Sequence, residues 1–246
     1  MVADNGKFRI SRWMAAYLKY GDFGLREKKF LLATIYFQHL LGDWPTSDWQ
    51  EEAAQTHWIP IADYRALGCA PRANDTRFFQ AATGFWLGQG HLFEHLKLCT
   101  DQSMISWQFS EDAFHLMSLM DEYALLTAQT MRQLRTSMDL DIWVQTALRH
   151  RMQRPEFTMF DTWRDPFANE PCKGPTYFKL KNNRRRLEAS LQRFADLLGY
   201  SFRVGYRQGG AEPGFTEAII RIRHARTRWP EGRLKQFPPR TQVIDV

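Results

Sequence analysis

From Lys179 to Arg193 the chain reads KLKNNRRRLEASLQR. Lys179, Lys181, Asn182, Arg184, Arg185, Arg186 and Arg193 are the residues here whose types suit recognition. Each guanidinium offers a planar fork of donors that matches a phosphate or the edge of a guanine, and Asn pairs with adenine in the same bidentate way. None of these groups is a nucleophile or a general base at neutral pH. The chemistry on offer is therefore binding of a polyanion.

A second basic set follows. YSFRVGYR and FTEAIIRIRH carry Arg203, Arg207, Arg221 and Arg223, and Arg226 and Arg228 come next. The charge is segregated along the chain. The net charge is +6. Residues 1–133 hold 12 Lys+Arg against 15 Asp+Glu, whereas residues 134–246 hold 21 against 12. Within 173–235 there are 15 basic and 5 acidic residues. Such a basic half is the footprint of a polyanionic partner, the alternative being a solvated face that serves solubility.

Catalytic patterns are weak by comparison. HLFEH (91–95) matches a zinc-peptidase signature, but it alternates like a strand. In a strand its two histidines would lie about 13 Å apart, too far for one metal. There is no phosphate-binding G-x-x-x-x-G-K-[ST] sequence. No His-hydrophobic-His pair stands by to hold a metal beside a nucleophilic tyrosine. Cys69, Cys99 and Cys172 are odd in number and far apart, which argues against disulfides and structural zinc. The reading is not an enzyme, with no cofactor and no metal. No apolar run spans a bilayer and the amino terminus has no signal-peptide core, so a soluble cytoplasmic protein is expected.

The elements that must position the basic residues follow from periodicity. YFKLKNNRRRLEASLQRFADLLG reads as one long helix ending at Gly199. Leu180, Leu187, Leu191, Phe194 and Leu198 form its apolar stripe, and Lys179, Asn182, Arg186 and Arg193 share an outward stripe with Arg185 beside it. The two arginine-bearing segments after it, joined by QGGAEPG, read as a hairpin. Ahead of it, SMDLDIWVQTALRHRMQ is a helix capped by Thr136 or Ser137, with Asp139 and Asp141 near its positive end. FTMFD is extended, and TWRDPF reads as a short helix.

The first half repeats the order. An amphipathic helix (25–41), a strand (58–61), a short helix (62–68), a helix capped by Asn74 or Asp75, and a hairpin HLFEHLKLC/MISWQFS follow one another. Ser110 caps a linking helix over 110–120. Arg72, Arg77, Gln80 and Gln89 are the plausible contacts of this half, while Phe78, Phe79, Phe85 and Trp86 read as core. Trp58, Trp107 and Trp143 also read as core. The expectation is an α+β, mainly helical chain made of two tandem winged-helix domains, each with a β-hairpin wing. The domains are 1–130, with dimerisation or light DNA contact, and 131–228, which binds DNA. Residues 229–246 are a Pro-containing tail.

TSMDLDIWVQTALRHRMQRPEFTMFDTW resembles the start of the carboxy-terminal winged helix of Rep-type plasmid replication initiators. IPIADYRALG, with the long helix and the hairpin ending ISWQFS, is similar to their amino-terminal one. The resemblance implies binding to origin repeats in double-stranded DNA, duplex opening, recruitment of a host initiator and helicase, and a homodimer that represses its own gene. It implies DNA contacts at Lys181, Arg184, Arg185, Arg186 and the wing arginines. Two other readings stay open: a winged-helix transcriptional regulator, and an architectural or scaffold protein with a basic DNA-binding face.

Overall fold

The structure is a computed structural model. It describes residues 6–41, 55–70, 76–118, 121–152, 155–159, 163–164, 171–172, 180–208, 215–224, 237–238 and 241–246. The chain is α+β and divides into two compact units, Met1–Ala16 with Phe23–Ser137, and Tyr17–Asp22 with Met138–Val246.

The first unit runs β1 (Lys7–Ser11), α1 (Arg12–Tyr20, whose last residues belong to the second unit), α2 (Leu25–Leu41), β2 (His57–Pro60) and α3 (Ile61–Ala66). It continues with α4 (Arg77–Gly88), β3 (Phe93–Leu98), β4 (Met104–Phe109), α5 (Glu111–Ser118), β5 (Tyr123–Thr127) and α6 (Ala128–Gln133). The hairpin β3–β4 is extended by β2, which pairs antiparallel with β4. Ser110 caps α5 by accepting from the Ala113 amide at 3.2 Å. The residue before α4 is Thr76. The proposed caps Asn74 and Asp75 lie outside the described residues, as does Arg72.

Three sequence expectations for this unit change. The helix over 25–41 is not amphipathic. Residues 28–38 are buried without interruption, because β1, β2, α4 and α6 all pack around α2. Its one buried amide is satisfied: the Trp107 indole N–H donates to Gln38 Oε1 at 3.0 Å. The amide nitrogen of Gln38 then donates to His57 Nε2 at 3.0 Å. Burial lowers the His57 pKa, which suits a neutral ring acting as acceptor. Trp107 and Trp143 are core as expected, but Trp58 is 52% exposed, because alternation along β2 turns it to the outer face of the sheet. Finally, β1 pairs with β5, a two-stranded sheet that periodicity did not suggest.

The second unit contains α7 (Ser137–Arg149, whose first residue belongs to the first unit), β6 (Glu156–Met159), β7 (Trp163–Arg164), β8 (Pro171–Cys172), α8 (Leu180–Leu198), β9 (Tyr200–Gln208), β10 (Phe215–His224) and β11 (Thr241–Asp245). The sheet order is β11-β9-β10-β6. In both units, then, a short strand ahead of the helix that leads into the hairpin, β2 or β6, pairs antiparallel with the hairpin's second strand. Trp163–Arg164, expected in a short helix, instead pairs antiparallel with Pro171–Cys172. Residues 241–245, expected in a tail, form an edge strand on β9. The run TQVID, three of whose five residues are β-branched, has strand character once a partner is available.

Candidate nucleic-acid interface

Helix α8 is positioned by its apolar stripe. Leu187, Leu191 and Phe194 are buried, and the helix packs against β9 and β10. Phe202, Val204 and Tyr206 of β9 and Ala218, Ile220 and Ile222 of β10 are the buried apolar side chains of those strands. They pair across the register and share the face toward α8. Gly199 ends the helix with a φ of 67°, the left-handed conformation a C-terminal glycine supplies without strain.

The three consecutive arginines are divided by the helix. Arg184 turns toward the sheet. Its Nε donates to Glu188 Oε1 at 2.9 Å and its guanidinium to Gln242 Oε1 at 3.1 Å, and it lies 4.4 Å from the centroid of the Tyr206 ring. The Tyr206 hydroxyl also donates to Glu188 Oε1 at 2.9 Å. Burial, then the hydrogen bond to Glu188, pushes the phenol pKa up, which keeps that proton in place. Arg185 and Arg186 are exposed and have no partner among the described residues.

No acidic residue stands in the first turn of α8. Cations beside the positive end of a helix dipole disfavour the helix by themselves. The same field adds to the attraction of an anion placed there. Farther along, the exposed residues Ala189, Gln192 and Asp196 bring no cation. The unpaired positive charge of the described face is concentrated near the amino-terminal end of α8.

Two expectations about this helix need correction or qualification. Arg193, expected on the outward stripe, bends back to donate to Asp139 Oδ1 of α7 at 2.6 Å and to Ser190 Oγ at 2.9 Å. Asp139 is only 2% exposed, so the pull of a buried carboxylate outweighs the wheel position. Lys181 and Asn182 belong to α8 by their backbone, and Lys179 lies outside the described residues.

The hairpin arginines form a set of their own. Strand alternation puts Arg203, Arg207, Arg221 and Arg223 on the face of the sheet opposite α8. Each meets a carboxylate. Arg203 donates to Asp245 at 2.8 and 3.3 Å, and Arg223 lies 3.8 Å from the same group. Arg207 donates to Glu217 at 2.8 Å, and Arg221 to Glu156 at 3.1 Å. The Phe237 ring covers Arg221, 3.8 Å from the guanidinium carbon, and leaves it largely buried. A simple picture of four free arginines on a wing is therefore corrected. Asp245 and Phe237, which complete this surface, come from the segment read as a tail. The sequence signal for the strand that carries Asp245 was the β-branched content of TQVID.

In the first unit Arg77 and Gln80 lie exposed on α4, and Gln89 donates to the Phe85 carbonyl at 3.5 Å. Phe79 and Trp86 are fully buried. In HLFEH, His95 of β3 bonds to Ser106 Oγ at 2.7 Å. Among the described residues no group of three His, Cys, Asp or Glu is placed to hold a metal ion. Burial pushes the Cys69 thiol up to about 12, away from reactivity at neutral pH. No helix among the described residues is long and apolar enough to cross a membrane.

The sequence matches no protein-family profile and no curated protein. In three dimensions the chain is similar to the Pi initiator protein in its crystal structure with iteron DNA. The TM-score is 0.61 at 10% sequence identity, covering 90% of this chain and 98% of that one. The resemblance to initiators read from the sequence is met at the level of the fold.

Proposed function

We propose that this chain is a sequence-specific double-stranded DNA-binding protein that initiates plasmid replication by binding origin repeats. Its two units act as tandem winged helices, and α8 of the second is the reading helix. The observation that carries the proposal is the Arg185–Arg186 pair, exposed and without partners among the described residues near the amino-terminal end of α8. Reading helices present their amino-terminal residues to base edges in the major groove, and arginine is the commonest specific contact to guanine. The paired strand order of the two units and the fold shared with an initiator solved on iteron DNA support the same reading. Recruitment of a host initiator and helicase, and a homodimer, belong to this proposal.

The test is recovery of bound DNA. The full chain is incubated with fragmented DNA of its native replicon, captured, and the retained fragments sequenced. Tandem repeats spaced by roughly 20 base pairs, two helical turns, are expected to dominate. Retention spread evenly over the replicon overturns the reading.

A further inference from the structure

We infer that the outer face of the four-stranded sheet, opposite α8, is a second nucleic-acid backbone site, held closed by the chain's own Asp245. The inference takes from the proposed function only that DNA is the ligand.

The geometry is that of a line. Arg223 sits beside Ser201 in register, Arg203 follows on β9, and Arg207 lies four residues farther along the same strand. The backbone positions of the three arginines thus run about 20 Å along one strand direction on one face. Arg203 and Arg223 converge on the one Asp245 carboxylate, and Arg207 stands apart along the strand. A row of spaced cations fits a linear polyanion, whose phosphates repeat along an axis.

The present occupants differ in how firmly they are held. Arg221 is mostly buried, bonded to Glu156 and covered by Phe237, so it belongs to the packing. Arg203 and Arg223 share one carboxylate, Asp245, whose side chain is 61% exposed. Exposed pairs of this kind contribute little to stability, so a phosphate can take the carboxylate's place. Arg207 is half exposed beside Glu217. Among the described residues the acidic groups facing the row are Asp245, Glu217 and Glu156, and of these only Asp245 is brought in by the edge strand β11, near the carboxy terminus. Arg203, by hydrogen bond and charge, holds the Asp245 carboxyl below the usual carboxylate range, so it is ionised and competes with phosphate at neutral pH. The consequence is restraint: the chain limits its own sequence-independent DNA binding and frees that surface only when phosphate outcompetes Asp245.

The experiment measures binding of the full chain to a random-sequence duplex by fluorescence anisotropy across a salt series. Asp245→Asn is expected to bind about threefold to tenfold tighter, with a salt slope steeper by about 0.9 to 1.8 for one or two added phosphates. Glu94→Gln removes the same charge from an exposed position on β3 and is expected to change neither quantity appreciably. Adding Arg203→Ala and Arg223→Ala to Asp245→Asn is expected to abolish the gain in affinity and slope. Thermal melting checks that the variants are folded. An unchanged slope in Asp245→Asn overturns the inference, as does a gain that survives removal of both arginines or is matched by Glu94→Gln. The outcomes separate from those of the proposed function. A gain on random duplex without any preferred origin fragment sinks the initiator reading and spares this site, and the reverse result does the opposite.

Discussion

Arg203 and Arg221 stand directly opposite each other across β9 and β10. Two like charges in such a pair repel. The row is balanced by its neighbours: Asp245 pairs with Arg203 on the β11 side, and Glu156 with Arg221 on the β6 side. Across four strands the face reads carboxylate, guanidinium, guanidinium, carboxylate. This arrangement separates the basic residues that hold the sheet together from those left to meet a ligand. It points to different outcomes for arginines that look alike in the sequence.

Arg186→Ala is expected to weaken binding to the preferred site by about 1–3 kcal/mol and to relax preference at one base position. Melting should be nearly unchanged, because the side chain is exposed and has no described partner. Binding is compared on the preferred and a random duplex. Equal weakening on both would reduce Arg186 to a phosphate contact and remove α8 as the reader.

Arg193→Met should behave as a stability variant. It takes one charged hydrogen-bond donor away from Asp139, which stays buried, and the expected cost is about 1–3 kcal/mol. Chemical denaturation reads that loss as a lower midpoint. DNA affinity, measured well below the melting transition, should hold. A variant that melts like wild type and loses DNA affinity would return Arg193 to the DNA-contacting face.

Gly205→Ala tests the cover over the outer face. A β-carbon at Gly205 would collide with the Phe237 ring and press on the Thr241 methyl. Overpacking of this kind costs about 1–3 kcal/mol. The expected result is a lower melting temperature together with faster amide exchange at β11, since Thr241 opens that strand. Normal melting with unchanged exchange would mean that Phe237 does not rest on the sheet.

By itself the sequence determined the elements whose signals are local. The helix now called α8, its end at Gly199, the hairpin of β9 and β10, the short strands β2 and β6 and the Ser110 cap were all legible, because periodicity, glycine and capping chemistry act within a few residues. The concentration of positive charge in the second half was equally plain.

Only the tertiary structure decided which faces are buried and which charges are spoken for. Helix α2 carries charges at Lys28 and Lys29, yet neighbours on every side bury it. Trp58 looks like core and lies outside, because β2 exposes one of its two faces. Arg184, Arg185 and Arg186 are identical letters. The 100° turn per residue sends the first onto Tyr206 and Glu188 and leaves the other two in solvent. Arg193 was assigned outward by the same wheel, but Asp139 lies 54 residues earlier in the chain, and no local pattern announces a buried carboxylate that distant. Asp245, 42 residues from Arg203, escapes for the same reason. A charge pair depends on distance in space, and a sequence records distance only along the chain.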